Sequence, residues 1–144
     1  HVPTGTSLES ARVAHIPPQQ IAKGVLLNAD GKYLLAVTRA DCYLDLDELR
    51  RQLQLSVELA PSEDVESVFE DCALGAVPPL GPAYGIESVW DEQLMSEPDL
   101  YFEFGDHRHL VHVRTRDYLA LLESERHGSF SEPMLSSMGL WGTA

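Results

Sequence analysis

Residues 21–38 read IAKGVLLNADGKYLLAVT, and this stretch decides the fold. Two apolar runs, 21–29 and 32–38, flank the pair Asp30-Gly31. An Asp-Gly pair readily takes the positive φ angles of a tight hairpin turn. Both runs are apolar on both faces, and strands of that kind lie inside a sheet that is covered on both sides. The stretch therefore predicts a buried hairpin at the centre of the domain.

The segments around the hairpin predict a layered domain of helices and strands. Polar caps and apolar spacing predict helices from Thr6 to about Ala14, from Asp45 or Asp47 through Leu53, over 63–70 after a Ser62 cap, and from a Thr115 cap to about Glu123. Short strands are expected over 85–91, 100–104 and 110–114. The predicted fold class is α+β (mixed α/β), a single domain with a central mixed sheet flanked by helices.

Charge limits the partners that this chain can bind. Its 144 residues fit one domain and carry a net charge of −13. This acidity argues against broad, non-specific nucleic-acid binding, which needs a basic surface. Any nucleic-acid contact is therefore expected to be small and local, with Arg39, Arg108 and Arg114 as candidates beside Lys23.

Two further features of composition indicate the compartment. No apolar run reaches the roughly 20 residues that span a bilayer, so no membrane association is expected. The two cysteines, Cys42 and Cys72, form no disulfide framework and are interpreted as reduced thiols of a cytoplasmic protein.

Lys23 is the first residue that could carry chemistry. In an extended strand it shares a face with Val25 and Leu27. An ammonium beside a buried apolar face needs a partner or a polar cavity. The alternative is that Lys23 lies at the start of the strand and reaches solvent, and spacing alone leaves both open.

An uncharged loop, GAVPPLG over residues 75–81, is the second candidate. Glycine permits close backbone approach and proline fixes the path of the chain. Such a loop can present backbone N–H groups to a ligand carbonyl, or it can be an ordinary connection between a helix and a strand.

Three histidines, His107, His109 and His112, are expected to hold no metal. In a regular strand the first two share one face and His112 points to the other, so they do not converge on one ion. The sequence contains no G-x-S-x-G elbow and no Gly-rich phosphate loop, and nothing supports Cys42 or Cys72 as a nucleophile. No cofactor is expected.

Four separate segments carry a resemblance to a known family. His1-Val2-Pro3 with Thr6 and Glu9 resembles an H-x-P-x-x-T-x-x-E opening, and Ile21-Ala22-Lys23 resembles a "vAK" entry into a central strand. Residues 69–81, FEDCALGAVPPLG, resemble F-x-D-C-x-x-G-A-x-P-P-F-G, and residues 101–107, YFEFGDH, resemble F-x-A-G-x-H. Over about residues 1–123 the chain resembles the YbaK-type aminoacyl-tRNA editing domains, which are similar to the editing insertion of bacterial prolyl-tRNA synthetases.

The resemblance implies a trans-editing deacylase that hydrolyses mischarged aminoacyl-tRNA esters. Water would attack the ester with help from the substrate's own ribose hydroxyl, without a protein nucleophile, metal or cofactor. The implied partner is the 3′ end of aminoacyl-tRNA, and the implied catalytic residue is Lys23 at the floor of the cleft. The substrate-binding residues implied by the motifs are Thr6, Gly75, Pro79, Gly81, Gly105 and His107.

The ends of the chain and two glycines favour an alternative function. Residues 1–125 are expected to form the editing domain without the family's usual N-terminal helix and strand, and 126–144 to form a tail or linker toward a further domain such as HDOD. Gly5 and Gly24 stand where many relatives carry an aromatic residue and a hydroxyl. The alternative is a catalytically silent YbaK-like binding module of a larger regulatory protein.

Overall fold

A computed structural model describes residues 15–72, 77–103 and 110–134. The helix predicted from Thr6 to Ala14 lies outside these ranges. Nine strands are described: β1 Ala22–Ala29, β2 Lys32–Arg39, β3 Cys42–Leu44, β4 Val57–Leu59, β5 Glu87–Asp91, β6 Asp99–Glu103, β7 Leu110–Arg114, β8 Arg126–Gly128 and β9 Ser131–Pro133. Three α-helices accompany them: α1 Leu46–Leu53, α2 Ser62–Val68 and α3 Thr115–Leu121. Short 3₁₀ turns cover Pro18–Gln20, Gly81–Tyr84 and Glu92–Ser96.

The central sheet has five strands in the order β4-β1-β2-β5-β8. β1 pairs antiparallel with both β2 and β4, whereas β5 pairs parallel with both β2 and β8. The sheet is therefore mixed, and the predicted fold class is confirmed.

The hairpin forms as the sequence predicts. Ala29 pairs with Lys32 across the turn, which leaves Asp30 and Gly31 as a two-residue loop with φ angles of 52° and 87°. The Asn28 Oδ1 atom accepts a hydrogen bond of 2.9 Å from the Gly31 N–H and reinforces the turn. This register runs without a break to Ala22 opposite Arg39.

Both faces of the hairpin are covered, as the continuous apolar runs predict. On one face, Leu27 and Ala36 pack in a cluster with Leu49 of α1 and with Phe130. On the other face, two further clusters form around the hairpin residues Leu26, Leu35 and Val37, with Phe69, Trp90, Leu100 and Tyr118 among their members.

The three described helices lie where the sequence predicts them, but two of the predicted cap residues are not caps. Asp45 caps α1, and its Oδ1 accepts from the Glu48 N–H at 3.0 Å. Ser62 and Thr115 are the first helical residues rather than caps, because Pro61 and Arg114 occupy the cap positions. The Thr115 hydroxyl instead donates to the Glu97 carbonyl oxygen, which ties α3 to the segment before β6.

Two small sheets complete the fold. β6 and β7 lie where strands are expected from the sequence and pair antiparallel as a hairpin, and a parallel bridge between Ile21 and Tyr101 joins this pair to the start of β1. β3 pairs antiparallel with β9. None of the helices in the described ranges is long and apolar enough to cross a membrane.

The structure corrects the expected domain boundary after residue 125. β8 forms an edge strand of the central sheet, and β9 lies against β3. Between them Phe130 is 1% exposed, and its N–H donates to the buried Asp91 carboxylate at 2.8 Å. Strands of three residues are too short to show a period, so their long-range partners were invisible in the sequence. Residues 126–134 thus belong to the domain, whereas 135–144 lie outside the described residues.

Phe130→Ala tests whether this segment is part of the core. The substitution removes a fully buried ring, so we expect the free energy of unfolding to fall by about 3–5 kcal/mol in urea denaturation. Leu121→Ala is the control, because Leu121 is 61% exposed and its loss leaves little cavity. If the Phe130 variant is as stable as this control, the segment around Phe130 is not part of the core.

Candidate functional site

Lys23 lies one residue into β1, directly opposite Thr38 of β2. Directly paired residues share a face, so Lys23, Thr38 and Val25 lie on the same side of the sheet. The Lys23 side chain is half-buried, and Thr38 is fully buried. The Thr38 Oγ1 atom has no hydrogen-bond partner in the described part of the chain.

Asp41, an acidic group whose charge acts on Lys23, is already engaged by an arginine. Asp41 follows β2 and accepts two hydrogen bonds from Arg39, from Nε to Oδ1 at 2.8 Å and from Nη2 to Oδ2 at 2.5 Å. Arg39 is held on its other side by Ser96 Oγ at 3.0 Å from Nη1. Burial alone would raise the pKa of Asp41, but the hydrogen bonds and charge of Arg39 outweigh it and lower that pKa.

Lys23 has no direct partner among the described residues. Within residues 15–72, 77–103 and 110–134, no hydrogen bond or ion pair reaches its ammonium. Burial lowers the pKa of Lys23 from its ordinary value of 10.5, and the negative charge of Asp41 opposes this shift. As far as these ranges show, the ammonium is available to a ligand oxygen.

The two thiols do not supply a nucleophile at neutral pH. Cys42 is fully buried, and burial raises the pKa of its thiol to about 11. Burial also raises the pKa of the Cys72 thiol, whose sulfur lies 3.4 Å from the Tyr84 hydroxyl. Because the reactive form is the thiolate, both cysteines are poorly suited to attack an ester.

The described end of the predicted loop, residues 77–81, has a fixed path. The buried Tyr118 hydroxyl donates to the Pro79 carbonyl oxygen. A Cβ atom on Gly81 would overlap Ser88 Oγ and lie 2.5 Å from the Ile86 carbonyl oxygen, so only glycine fits there. Between them, the Leu80 N–H has no hydrogen-bond partner in the described ranges and can donate to a ligand.

Lys23 and this loop meet β1 on opposite faces. A Cβ atom on Gly24 would lie 3.4 Å from Pro79 Cα, so the loop packs over Gly24. Successive residues of a strand point to opposite sides, and Lys23 therefore faces away from Pro79. Lys23 and the loop of residues 77–81 therefore lie at the same end of β1, with the backbone of the strand between them.

The remaining predicted site residues, Thr6, Gly75, Gly105 and His107, lie outside the described residues, as does His109. His112 is described, and its ring stacks on Tyr101 with centroids 4.6 Å apart. Its Nε2 atom lies 2.9 Å from Asp99 Oδ1. No group of three His, Cys, Asp or Glu residues in the described ranges is arranged to hold a metal ion.

Sequence reasoning missed the neighbours of Lys23. A two-residue turn at Asp30-Gly31 fixes the register of the hairpin, so Thr38 could have been placed opposite Lys23 from the sequence. The pair between Arg39 and Asp41 had no such signal, because it depends on how the chain turns after β2. Tyr118 reaches Pro79 from a distant helix, and nothing in the sequence connects the two.

The comparison with protein families identifies the class. The family described as the aminoacyl-tRNA editing domain matches residues 1–121. The chain belongs to this family, and the resemblance drawn from the sequence motifs is confirmed.

Individual relatives agree with this assignment. The proline–tRNA ligase of Geobacillus thermodenitrificans (strain NG80-2) is 30% identical over 87 residues, which are 60% of this chain and 15% of the ligase. The ligase of Geobacillus kaustophilus (strain HTA426) matches to the same extent. The chain thus spans only about 15% of the length of these curated relatives.

Solved structures share the fold. A candidate trans-editing enzyme for prolyl-tRNA synthetase is 25% identical with a TM-score of 0.76, over 90% of this chain and 81% of that protein. A candidate signal-transduction protein of Marinobacter aquaeolei VT8 is 20% identical with a TM-score of 0.70, over 81% of this chain and 26% of that protein.

The pH dependence of stability tests the environment of Lys23. Because the folded-state pKa lies below 10.5, the unfolded chain binds the proton more tightly, and stability rises with pH from the lowered pKa up to 10.5. We expect Lys23→Met to be more stable than the wild type at pH 7, with an advantage that shrinks as pH rises through this window. Urea denaturation at several pH values measures the difference, and the exposed Lys32, replaced by Met, is the control. If the stability advantage of Lys23→Met instead grows with pH, the Lys23 ammonium is not unpaired and partly desolvated.

Proposed function

We propose that this chain hydrolyses the ester that joins an incorrect amino acid to the 3′ end of tRNA. The observation that carries the proposal is the half-buried Lys23 ammonium, which has no partner in the described ranges while Asp41 is occupied by Arg39. A cation in this state attracts the oxygen of a phosphate or an ester more strongly than a solvated one. The membership in the editing-domain family supports the choice of substrate.

The proposed reaction relies on positioning and electrostatics. Lys23 would bind the phosphate of the terminal nucleotide or the ester itself, and water would attack the ester carbon with help from the ribose hydroxyl of the substrate. The ester C–O bond breaks, the free amino acid leaves, and the tRNA regains its hydroxyl. The neutral thiols of Cys42 and Cys72 fit a scheme without a covalent intermediate.

The loop that ends at Gly81 is proposed to shape the pocket for the aminoacyl group at the end of β1 that it shares with Lys23. Because the loop and Lys23 lie on opposite faces of the strand, this proposal requires the substrate to pass around the start of β1. The support for this role of the loop is the rigid path given by the Tyr118 contact to Pro79 and by the tight space at Gly81. Roles for Thr6, Gly75, Gly105 and His107 remain proposals that rest on the sequence motifs.

A second candidate function is that of a silent binding module in a larger regulatory protein. Gly24 favours it, because the loop packs directly over a residue that carries a hydroxyl in many relatives. The same fold in a candidate signal-transduction protein, where it makes up 26% of the chain, adds support. A deacylation assay across mischarged tRNAs, beginning with those for proline, separates the two functions.

Lys23→Ala is expected to fold normally and to lose hydrolysis. Removing one preorganised charged contact typically lowers the rate about 10²- to 10³-fold. Deacylation of a mischarged tRNA measures the loss, and thermal unfolding shows that the variant is folded. Lys32→Ala is the matched control, because Lys32 is exposed at the other end of the hairpin. Full activity in folded Lys23→Ala would rule out Lys23 as the catalytic contact.

Salt dependence tests how nucleic acid is bound. Arg39 is the weaker candidate contact, since its guanidinium already binds Asp41 and Ser96. Lys23 and the exposed Arg114 remain among the described residues, and each phosphate bound adds about 0.7 to the salt slope for single strands. We expect a shallow slope equivalent to about one to three phosphates, measured as affinity against log salt.

A short aminoacylated mimic of the CCA end should therefore be hydrolysed nearly as well as whole tRNA. Tight binding of whole tRNA with a steep salt dependence would instead reveal a broad basic surface and would contradict recognition of the 3′ end alone.

A further inference from the structure

An open cavity lies where the β6–β7 hairpin meets α3. Its volume is about 680 Å³, and its lining contains none of the residues assigned above to the editing reaction except the candidate phosphate contact Arg114. Cavities of a few hundred Å³ are the usual size for small-molecule sites. The cavity is lined by Met95, Glu97, Pro98, Asp99, Arg114, Thr115, Arg116 and Leu119.

Most polar groups around this cavity are already engaged. The Asp99 carboxylate lies 2.9 Å from His112 Nε2, and the Thr115 hydroxyl donates to the Glu97 carbonyl oxygen. Arg116 Nε lies 3.9 Å from Asp117 Oδ1. Asp99 and Thr115 are therefore occupied within the protein and contribute less to binding a ligand, whereas the exposed Arg116 is paired only weakly.

Two opposite charges in the lining form no ion pair within the described residues. In that part of the chain neither the Glu97 carboxylate nor the Arg114 guanidinium has an ion pair or a side-chain hydrogen bond. Glu97 nevertheless lies near enough to Arg39 to add to the rise in pKa that Asp41 causes in that guanidinium. Glu97 and Arg114 line one cavity without pairing with each other. A ligand that satisfies both must carry an anionic and a cationic group.

The rest of the wall is apolar. Met95 is 55% exposed, and Pro98 and Leu119 lie in the same lining. Covering such a surface with an apolar group is favourable in proportion to the area removed from water. The ligand that fits this wall therefore has an apolar body in addition to its two charges.

We propose that this cavity binds a free α-amino acid with an apolar side chain. Its carboxylate would accept hydrogen bonds from the Arg114 guanidinium, which suits carboxylates because its donors form a planar fork. Its ammonium would donate to Glu97, and its side chain would cover Met95 and Leu119. This inference does not rest on the proposed hydrolysis, although a free amino acid is also the product of that reaction.

Calorimetric titration of the full chain with L-leucine tests the chemistry of the ligand. Isopentylamine lacks the carboxylate of leucine, and 4-methylpentanoate lacks its ammonium. Each charge-assisted hydrogen bond contributes about 1.5–3 kcal/mol, so we expect each analogue to bind at least about tenfold more weakly than leucine. Equal binding of either analogue, or no binding of leucine at millimolar concentration, would overturn the proposal.

Variants test the place of binding. Glu97→Gln and Arg114→Gln should each weaken leucine binding at least about tenfold, while Glu123→Gln and Arg126→Gln should leave it unchanged, since these exposed residues lie outside the cavity lining. Thermal unfolding of all four variants confirms that they are folded. Inorganic phosphate is the control for a simple anion site: binding of phosphate that depends on Arg114 but not on Glu97, without binding of leucine, would overturn the assignment.

Lys23→Ala separates this inference from the proposed function. It should bind leucine like the wild type even where it has lost deacylation. Loss of leucine binding in Lys23→Ala would place the amino acid in the editing cleft and refute a second site. Absence of deacylation in the wild type, with leucine binding that requires Glu97 and Arg114, would refute the proposed hydrolysis alone.

Discussion

The antiparallel pairing of β1 with β2 through the Asp30-Gly31 turn is the interaction on which the rest of the structure depends. Its eight cross-strand pairs set which residues face each side of the sheet, because a slip of one residue would reverse every side chain. The register places Leu27 and Ala36 against α1 and Phe130, and it places Lys23 opposite Thr38. The central packing and the candidate catalytic residue are thus fixed by the same turn.

The sequence predicted the parts of the fold that local chemistry determines. The Asp-Gly turn, the Asp45 cap of α1 and the strands β6 and β7 all formed where their residue patterns indicate, although the pairing of β6 with β7 was not predicted. The four strands of three residues, β3, β4, β8 and β9, were missed because each is too short for alternation to be recognised and each depends on a distant partner. The same limit explains why residues 126–134 were taken for a tail.

The candidate site shows the same distinction between features that local sequence predicts and features that depend on distant contacts. Lys23 could be singled out because an ammonium within an apolar strand contradicts the pattern around it. The electrostatic surroundings of Lys23 could not be predicted from the sequence, because they depend on Arg39 turning back to Asp41 after β2. The loop through Pro79 was found from its glycines and prolines, yet its position over Gly24, on the face opposite Lys23, followed only from the structure.

In so acidic a chain, it is informative that Lys23 has no ion pair among the described residues. With 23 acidic residues against 10 basic ones, carboxylates are abundant, and Arg39, Arg50 and Arg51 each have one within 2.7 Å. Within the described residues Lys23 has none, although it is half-buried and its pKa is lowered by desolvation. The Asp41 carboxylate, whose charge acts on Lys23, is held by a bidentate arginine instead. The surplus of negative charge repels long stretches of phosphate, so the proposed role of Lys23 is contact with a single terminal group and not with a broad nucleic-acid surface.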